Sequence, residues 1–346
     1  YAAALEALDF DALSRANQVD AALLLHELES SIWSIETLQE WAWNPLYYVR
    51  ISGSGIYGLL ARDFAPLEAR LASAASRLEQ LPRFLEQARG SLDPGRVPPV
   101  HAETAVQQNA GLNSIIDNMI VPHLDQLGAT DRARVETAVE TARDAIAEHQ
   151  AWLEDELGPQ AGGNFRIGEA LYDAKLAFAL KSPLSRKEIA ARAEREYEEV
   201  RNRMYEVAQT VYLGVYPMTA FPDDPDEAYR QAIIRAALEQ AYRALPPPDG
   251  IVEVARQQLQ EATDFVVEHN LVEMPGEPVE IIVMPEFQRG VSVAYCDSPG
   301  PLDAGQTTFY AVAPLPEDWT EEQERSFLRE YNSFSMQDLT ILAGVP

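Results

Sequence analysis

The chain has 346 residues, of which 47 % are hydrophobic and 24 % charged, a composition that builds a sizeable core in one large domain or two ordinary ones. Its 27 Lys and Arg stand against 55 Asp and Glu, and the resulting net charge of −28 repels phosphate backbones and anionic headgroups, so nucleic acid and membrane surfaces are poor partners. With no run of 18 apolar residues there is no membrane insertion to expect, and the single cysteine, Cys296, excludes an intrachain disulfide and reads as a free buried thiol. The acidic residues are spread along the chain, as on a solvated surface. Localisation stays open between cytoplasm and periplasm. A start at Tyr1 in place of Met is what a processed product or a fragment would have.

Most of residues 1–274 read as a helical body. Early in it, "GSGIYG" sets Gly53, Gly55 and Gly58 at the spacing of a dinucleotide loop, with "YYVRI" before it as a weak strand. No second parallel strand follows, so a flexible interhelical loop is the expected form and a cofactor enzyme the remoter reading. Helices are expected over 64–92 with a break at Pro82, then over 102–126, 130–156 and 166–180. In 185–212, Ile189, Ala193, Tyr197, Val200, Met204, Ala208 and Val211 recur at helical steps after a capping box of Ser185 and Glu188. Asp224 and Pro225 open the next helix, and "PPPDG" separates it from "IVEVARQQLQEATDFVVEHN".

The texture changes over 275–346. "VEIIVMP", "VSVAYC" and "TTFYAVAP" are short, β-branched or aromatic, and predict a small antiparallel sheet. Thr320 with Gln323 then caps a helix carrying Phe327, Leu328, Tyr331, Phe334 and Leu339. The fold class is therefore mainly α, a large multi-helix body with a small sheet near the C-terminal end. No fixed-period repeat suggests a solenoid.

Residues with metal chemistry are sparse. "HELES" offers His26 and Glu27, but Ser30 stands where a second histidine would complete H-E-x-x-H. His101, His123, His149 and His269 are scattered singly. The carboxylate pairs Glu198–Glu199 and Glu321–Glu322 sit in charged helical runs, where a solvated face is the ordinary reading.

Four segments taken in order carry a resemblance: "DFAPLEARLASAASRLEQLPRFLEQARGSL", "GEALYDAKLAFALKSPLSRKEIAARAEREYEEVRNRM", "PVEIIVMPEFQRGVSVAYCDSPGPLDAGQTTFYAVAP" and "REYNSFSMQDLTI". Together they resemble a bacterial family known as domain of unknown function 885, whose members look like zincin-type zinc peptidases. In that family a segment like "MQDLTI" leads into H-E-A-x-P-G-H, the zinc-binding histidines and the glutamate base. Laid on that motif, Leu342 stands at the first histidine, Ala343 at the glutamate and Pro346 at the proline. Leucine and alanine can neither bind zinc nor take a proton, so the resemblance implies zinc for intact relatives and none in this chain.

What the resemblance leaves here is the scaffold and substrate cleft of a peptidase, truncated or degenerate at the motif and inactive as given. Its sheet strand "TTFYAVAP" is expected at the edge, where main-chain groups pair with an extended peptide. Tyr310 and Phe309 are then the candidate substrate contacts, with Tyr295 on the preceding strand a weaker one. The alternative is a non-enzymatic helical protein that binds a peptide or protein. Partners under the first reading are a peptide substrate or a missing C-terminal half, and self-association through apolar surface left exposed by Phe327, Tyr331, Phe334 and Leu339.

Overall fold

Asn44 is a single extended residue between helical segments at 40–43 and 45–60, its side chain accepting a hydrogen bond from the Leu46 N–H at 3.2 Å, while Pro45 fills the first helical position, where a missing N–H costs nothing. Such local signals delimit a mainly helical protein. The computed structural model describes residues 1–274, 279–303 and 305–344. It divides into two compact units, Tyr1–Arg186 and Lys187–Pro346.

The first unit runs α1 (Ala2–Glu6), α2 (Arg15–Trp33), α3 (Glu40–Trp43), α4 (Pro45–Leu60), α5 (Leu67–Ser91), α6 (Pro99–Ala110), α7 (Leu112–Met119), α8 (Ala129–Trp152), α9 (Gly158–Gln160) and α10 (Glu169–Leu180). Its core lies among α4, α5, α6 and α8. Leu71, Ala74, Ala75 and Leu78 of α5 are fully enclosed, as are Ala105 of α6 and Ala142 of α8. Alanine at these positions brings helix axes close together, and the leucines fill the space between them.

Three expectations change in this unit. "GSGIYG" is not a loop, because Gly53, Gly55 and Gly58 all lie inside α4, whose face at Ser52, Gly53 and Ile56 is buried. Glycine costs about 1 kcal/mol against alanine in a helix, and burial of that face offsets it. Nor does Pro82 break its helix, since α5 continues from Leu67 to Ser91 through the proline, held by buried Leu78, Leu81 and Leu85 on either side. The span 102–126 is not one helix but α6, α7 and a 3₁₀ segment at Val121–Gln126 with Pro122 near its start.

The second unit holds α11 (Arg186–Val215, entered from the last residue of the first unit), α12 (Glu227–Ala241), α13 (Ile251–Glu268), β1 (Val279–Val283), β2 (Ala294–Asp297), β3 (Thr308–Val312), α14 (Glu321–Glu330) and α15 (Ser333–Gly344). The N-cap of α12 is Asp226, two residues later than expected, and its carboxylate accepts from the Tyr229 N–H at 2.8 Å. The Thr320–Gln323 capping box stands as expected, but the single helix expected to carry Phe327 through Leu339 is two, α14 and α15, divided at Tyr331 and Asn332. Tyr205 and Ala208 of α11 pack with Ile233 and Ile234 of α12. Much of the apolar stripe on α11 is exposed, Tyr197, Val200, Val207 and Val211 included.

The sheet is mixed, which corrects the expected antiparallel arrangement. Its order is β1-β3-β2, with β1 parallel to β3 and β2 antiparallel to it. Ile281 faces Tyr310 across one ladder and Cys296 faces Tyr310 across the other. A parallel pair needs a crossover, and the whole of 284–307, β2 included, supplies it. On the Tyr310 side, Ile281, Ala294 and Val312 pack with Ile251 and Ala255 of α13, Leu328 of α14 and Met336 of α15. Cys296, expected as a buried thiol, is exposed. It lies near the end of β2, with its sulfur 3.3 Å from the Ser298 hydroxyl.

Candidate functional site

The period of two puts Tyr310 and Phe309 on opposite faces of β3. Both are buried, and β3 is paired along both sides, so its main-chain groups are committed to β1 and β2. The edge position expected for "TTFYAVAP" therefore belongs to other strands. Among the described residues β2 is one edge and β1 the other.

Tyr310 is part of the floor on which α15 rests. Its phenol lies 3.5 Å from the hydroxyl of Thr340, and burial pushes its pKa up. The space beside it, lined by Val293, Tyr331 and Leu339 among others, amounts to only about 20 Å³, room for no more than a water. Tyr295 is half-buried on the opposite face, opposite Ala311, and its phenol donates a short hydrogen bond to the Gln288 side chain. Glu280 and Asp297 flank Phe309 on that same face, one on each edge strand.

The helix that leads to the motif positions is fixed by residues that sequence reasoning passed over. The Asn332 side chain accepts from the N–H groups of Phe334 and Ser335 at 3.0 and 3.3 Å, capping α15. Ser333 donates from both its N–H and its hydroxyl to the Ala244 carbonyl, each at 2.9 Å. Gln258 of α13 donates to the Ser333 carbonyl at 2.6 Å, and Gln337 donates back to the Gln258 carbonyl at 3.3 Å. An Asn directly before a helical run was a legible cap signal; the long-range glutamine contacts left none.

At the far end of α15, Leu342 is exposed and Ala343 packs against the core cluster. Pro346 lies outside the described residues. Neither Leu342 nor Ala343 carries a lone-pair donor, so these positions do not fit a zinc ion. Among the described residues no group of three or more His, Cys, Asp and Glu is arranged to hold a metal. The histidines have other neighbours. The His26 ring nitrogen contacts the Phe178 carbonyl at 2.9 Å, His101 stacks on Trp43, His149 on Trp152 and His269 on Phe265.

The glycine spacing has lost its cofactor meaning, because no strand-to-helix turn exists at 53–58 to present backbone N–H groups to a pyrophosphate. No described helix is long and apolar enough to cross a membrane.

Comparison with known proteins agrees on family and says nothing of activity. The DUF885 family model, described as a bacterial protein of unknown function, matches residues 1–346. A solved structure described as "a putative lipoprotein of unknown function from Shewanella oneidensis" is 28 % identical, with a TM-score of 0.68 over 99 % of this chain and 61 % of that one. The chain thus spans less than two thirds of that relative's length. No curated protein matches it.

Proposed function

The chain belongs to the DUF885 family of bacterial proteins, and from that premise we propose that it forms the scaffold and substrate cleft of a peptidase-like protein, taking up an extended peptide and leaving hydrolysis undone. The observation that carries this reading is the position of β2. It is a short edge strand, antiparallel to β3, with Cys296 exposed near its end. On an antiparallel edge every second residue turns its N–H and C=O away from the sheet. On β2 these are Ala294, whose carbonyl already accepts from the Ser292 hydroxyl at 2.5 Å, and Cys296, and an extended peptide can pair at Cys296. The ladder behind β2 is well anchored. The Ala313 N–H donates to the Val293 carbonyl at 2.9 Å, and Tyr310 and Val312 are held in the core. This reading moves the recognition strand from β3 to β2 and keeps Tyr295 as the nearest aromatic side chain.

Residues 342 and 343 supply neither metal ligand nor base, so peptide binding without cleavage is the expected activity. A non-enzymatic protein that binds a peptide or protein is the second reading, favoured by the exposed apolar stripe of α11. Amide hydrogen exchange during titration with a mixed library of extended peptides tests the first. Protection at 293–298 supports it. Protection confined to α11 favours the second, and the absence of any protection removes both.

A further inference from the structure

One glycine of "GSGIYG", Gly55, shapes a groove between α4 and α5 in the first unit. A Cβ added at Gly55 would lie 3.2 Å from the nearer Arg77 guanidinium nitrogen, so the missing side chain is what lets the arginine lie against α4. The groove measures about 440 Å³, within the range of small-molecule sites. Its walls are mostly apolar, with Ile51, Ile56, Leu81 and Phe84 supplying aliphatic and aromatic surface.

Ser73, Ser76 and Gln80 also line the groove, the two serine hydroxyls already donating to the carbonyls of Ala69 and Ala72, which leaves Ser52 and Arg77 as the polar groups in question. Ser52 lines the groove at 5 % exposure, and its hydroxyl has no hydrogen-bond partner among the described residues. A buried hydroxyl left in that condition is destabilising, and a ligand acceptor would remove the cost. Ser52 and Gly55 are one turn apart on the same helix face, so the hydroxyl and the guanidinium approach from neighbouring turns. Arg77 itself makes no ion pair or hydrogen bond among the described residues, although acidic side chains outnumber basic ones two to one in this chain.

We infer that this groove binds an aliphatic carboxylate, its two oxygens taken by the Arg77 guanidinium and the Ser52 hydroxyl and its chain laid along Ile51, Ile56, Leu81 and Phe84. One cation and one hydroxyl match a single carboxylate. A phosphate would bring more charge than the one guanidinium neutralises. The groove lies in the first unit and is independent of the peptide reading.

Calorimetric titration of the full chain with decanoate, and with 1-decanol as its uncharged counterpart, tests the inference. One decanoate per chain is expected. R77Q should weaken it by about tenfold or more, the loss of one hydrogen bond to a charged group. S52A should weaken it less, and G55L should abolish it by filling the groove. R50Q, on the far side of α4, should leave it unchanged, and circular dichroism checks that each variant keeps its helix content. Absent decanoate binding, equal binding of decanol, or an unaltered R77Q affinity would overturn the assignment.

Discussion

The phenol of Tyr310 lies 3.5 Å from the hydroxyl of Thr340, and with 1 % and 0 % exposure the two residues join the central strand to the last helix out of reach of water. Because burial raises the Tyr310 pKa, the phenol stays protonated through neutral pH and the contact does not titrate there. Y310F should cost about 1 kcal/mol, since the bond is long but leaves the Thr340 hydroxyl unsatisfied when removed. Y310A should cost about 3–5 kcal/mol through the cavity it opens. Urea unfolding of both variants, followed by tryptophan fluorescence, measures the difference; similar losses for the two would mean that ring packing contributes little.

His149 gives the first unit a pH dependence. It is almost fully buried on α8, stacked on Trp152 with no partner on Nδ1 among the described residues, and burial, assisted by the Arg89 charge, lowers its pKa to about 4. The unfolded chain therefore binds a proton that the folded chain refuses, and stability falls as pH drops from about 6.5 to about 4. The loss should reach roughly 3 kcal/mol at the lower end. Unfolding midpoints measured across that window should decline in the natural chain and stay flatter in H149L.

As the only cysteine and an exposed one, Cys296 is a reporter on β2. One equivalent of a thiol reagent should react with the native protein without denaturant. Saturating extended peptide should slow that reaction severalfold if it pairs along the edge, whereas a peptide held elsewhere would leave the rate unaltered.

Apolar surface on α11 should make the chain adhesive. Tyr197, Val200, Val207 and Val211 lie on one helical stripe and are all exposed. At the C-terminal side, Phe334 and Leu342 are exposed as well, while Phe327, Tyr331 and Leu339 pack on the sheet core. Light scattering should report species larger than the monomer, and V200K with V207K should reduce them and the binding of an anilinonaphthalene dye. Retention of both signals in the double variant would place the adhesive surface elsewhere.

Local signals were the legible part of this fold. The Thr320 hydroxyl and Gln323 side chain cap α14 as the sequence spacing implies, and the seven-residue stripe from Ile189 to Val211 lies on one helix. Periodicity, though, reports that a helix has two faces and not whether the apolar one is covered, and most of that stripe is exposed. Glycine and proline misled where packing outweighed propensity, at Gly53 to Gly58 within α4 and at Pro82 within α5. Strand order had no local signature. Nothing in "TTFYAVAP" distinguishes a central strand from an edge, because that depends on which chains arrive at its two sides. For the candidate site, the two faces that Tyr310 and Phe309 occupy follow from the strand period alone, while the long-range contacts of Gln258 with α15 lay beyond any sequence pattern.

The order β1-β3-β2 also fixes when the sheet can exist. Among the described strands its centre is the last to be synthesised, and within this sheet neither edge strand has its partner until Thr308–Val312 has left the ribosome. Both ladders then close around a single arriving segment. The nascent chain before that moment carries two unpaired strands, each exposed to chaperones, proteases and neighbouring chains.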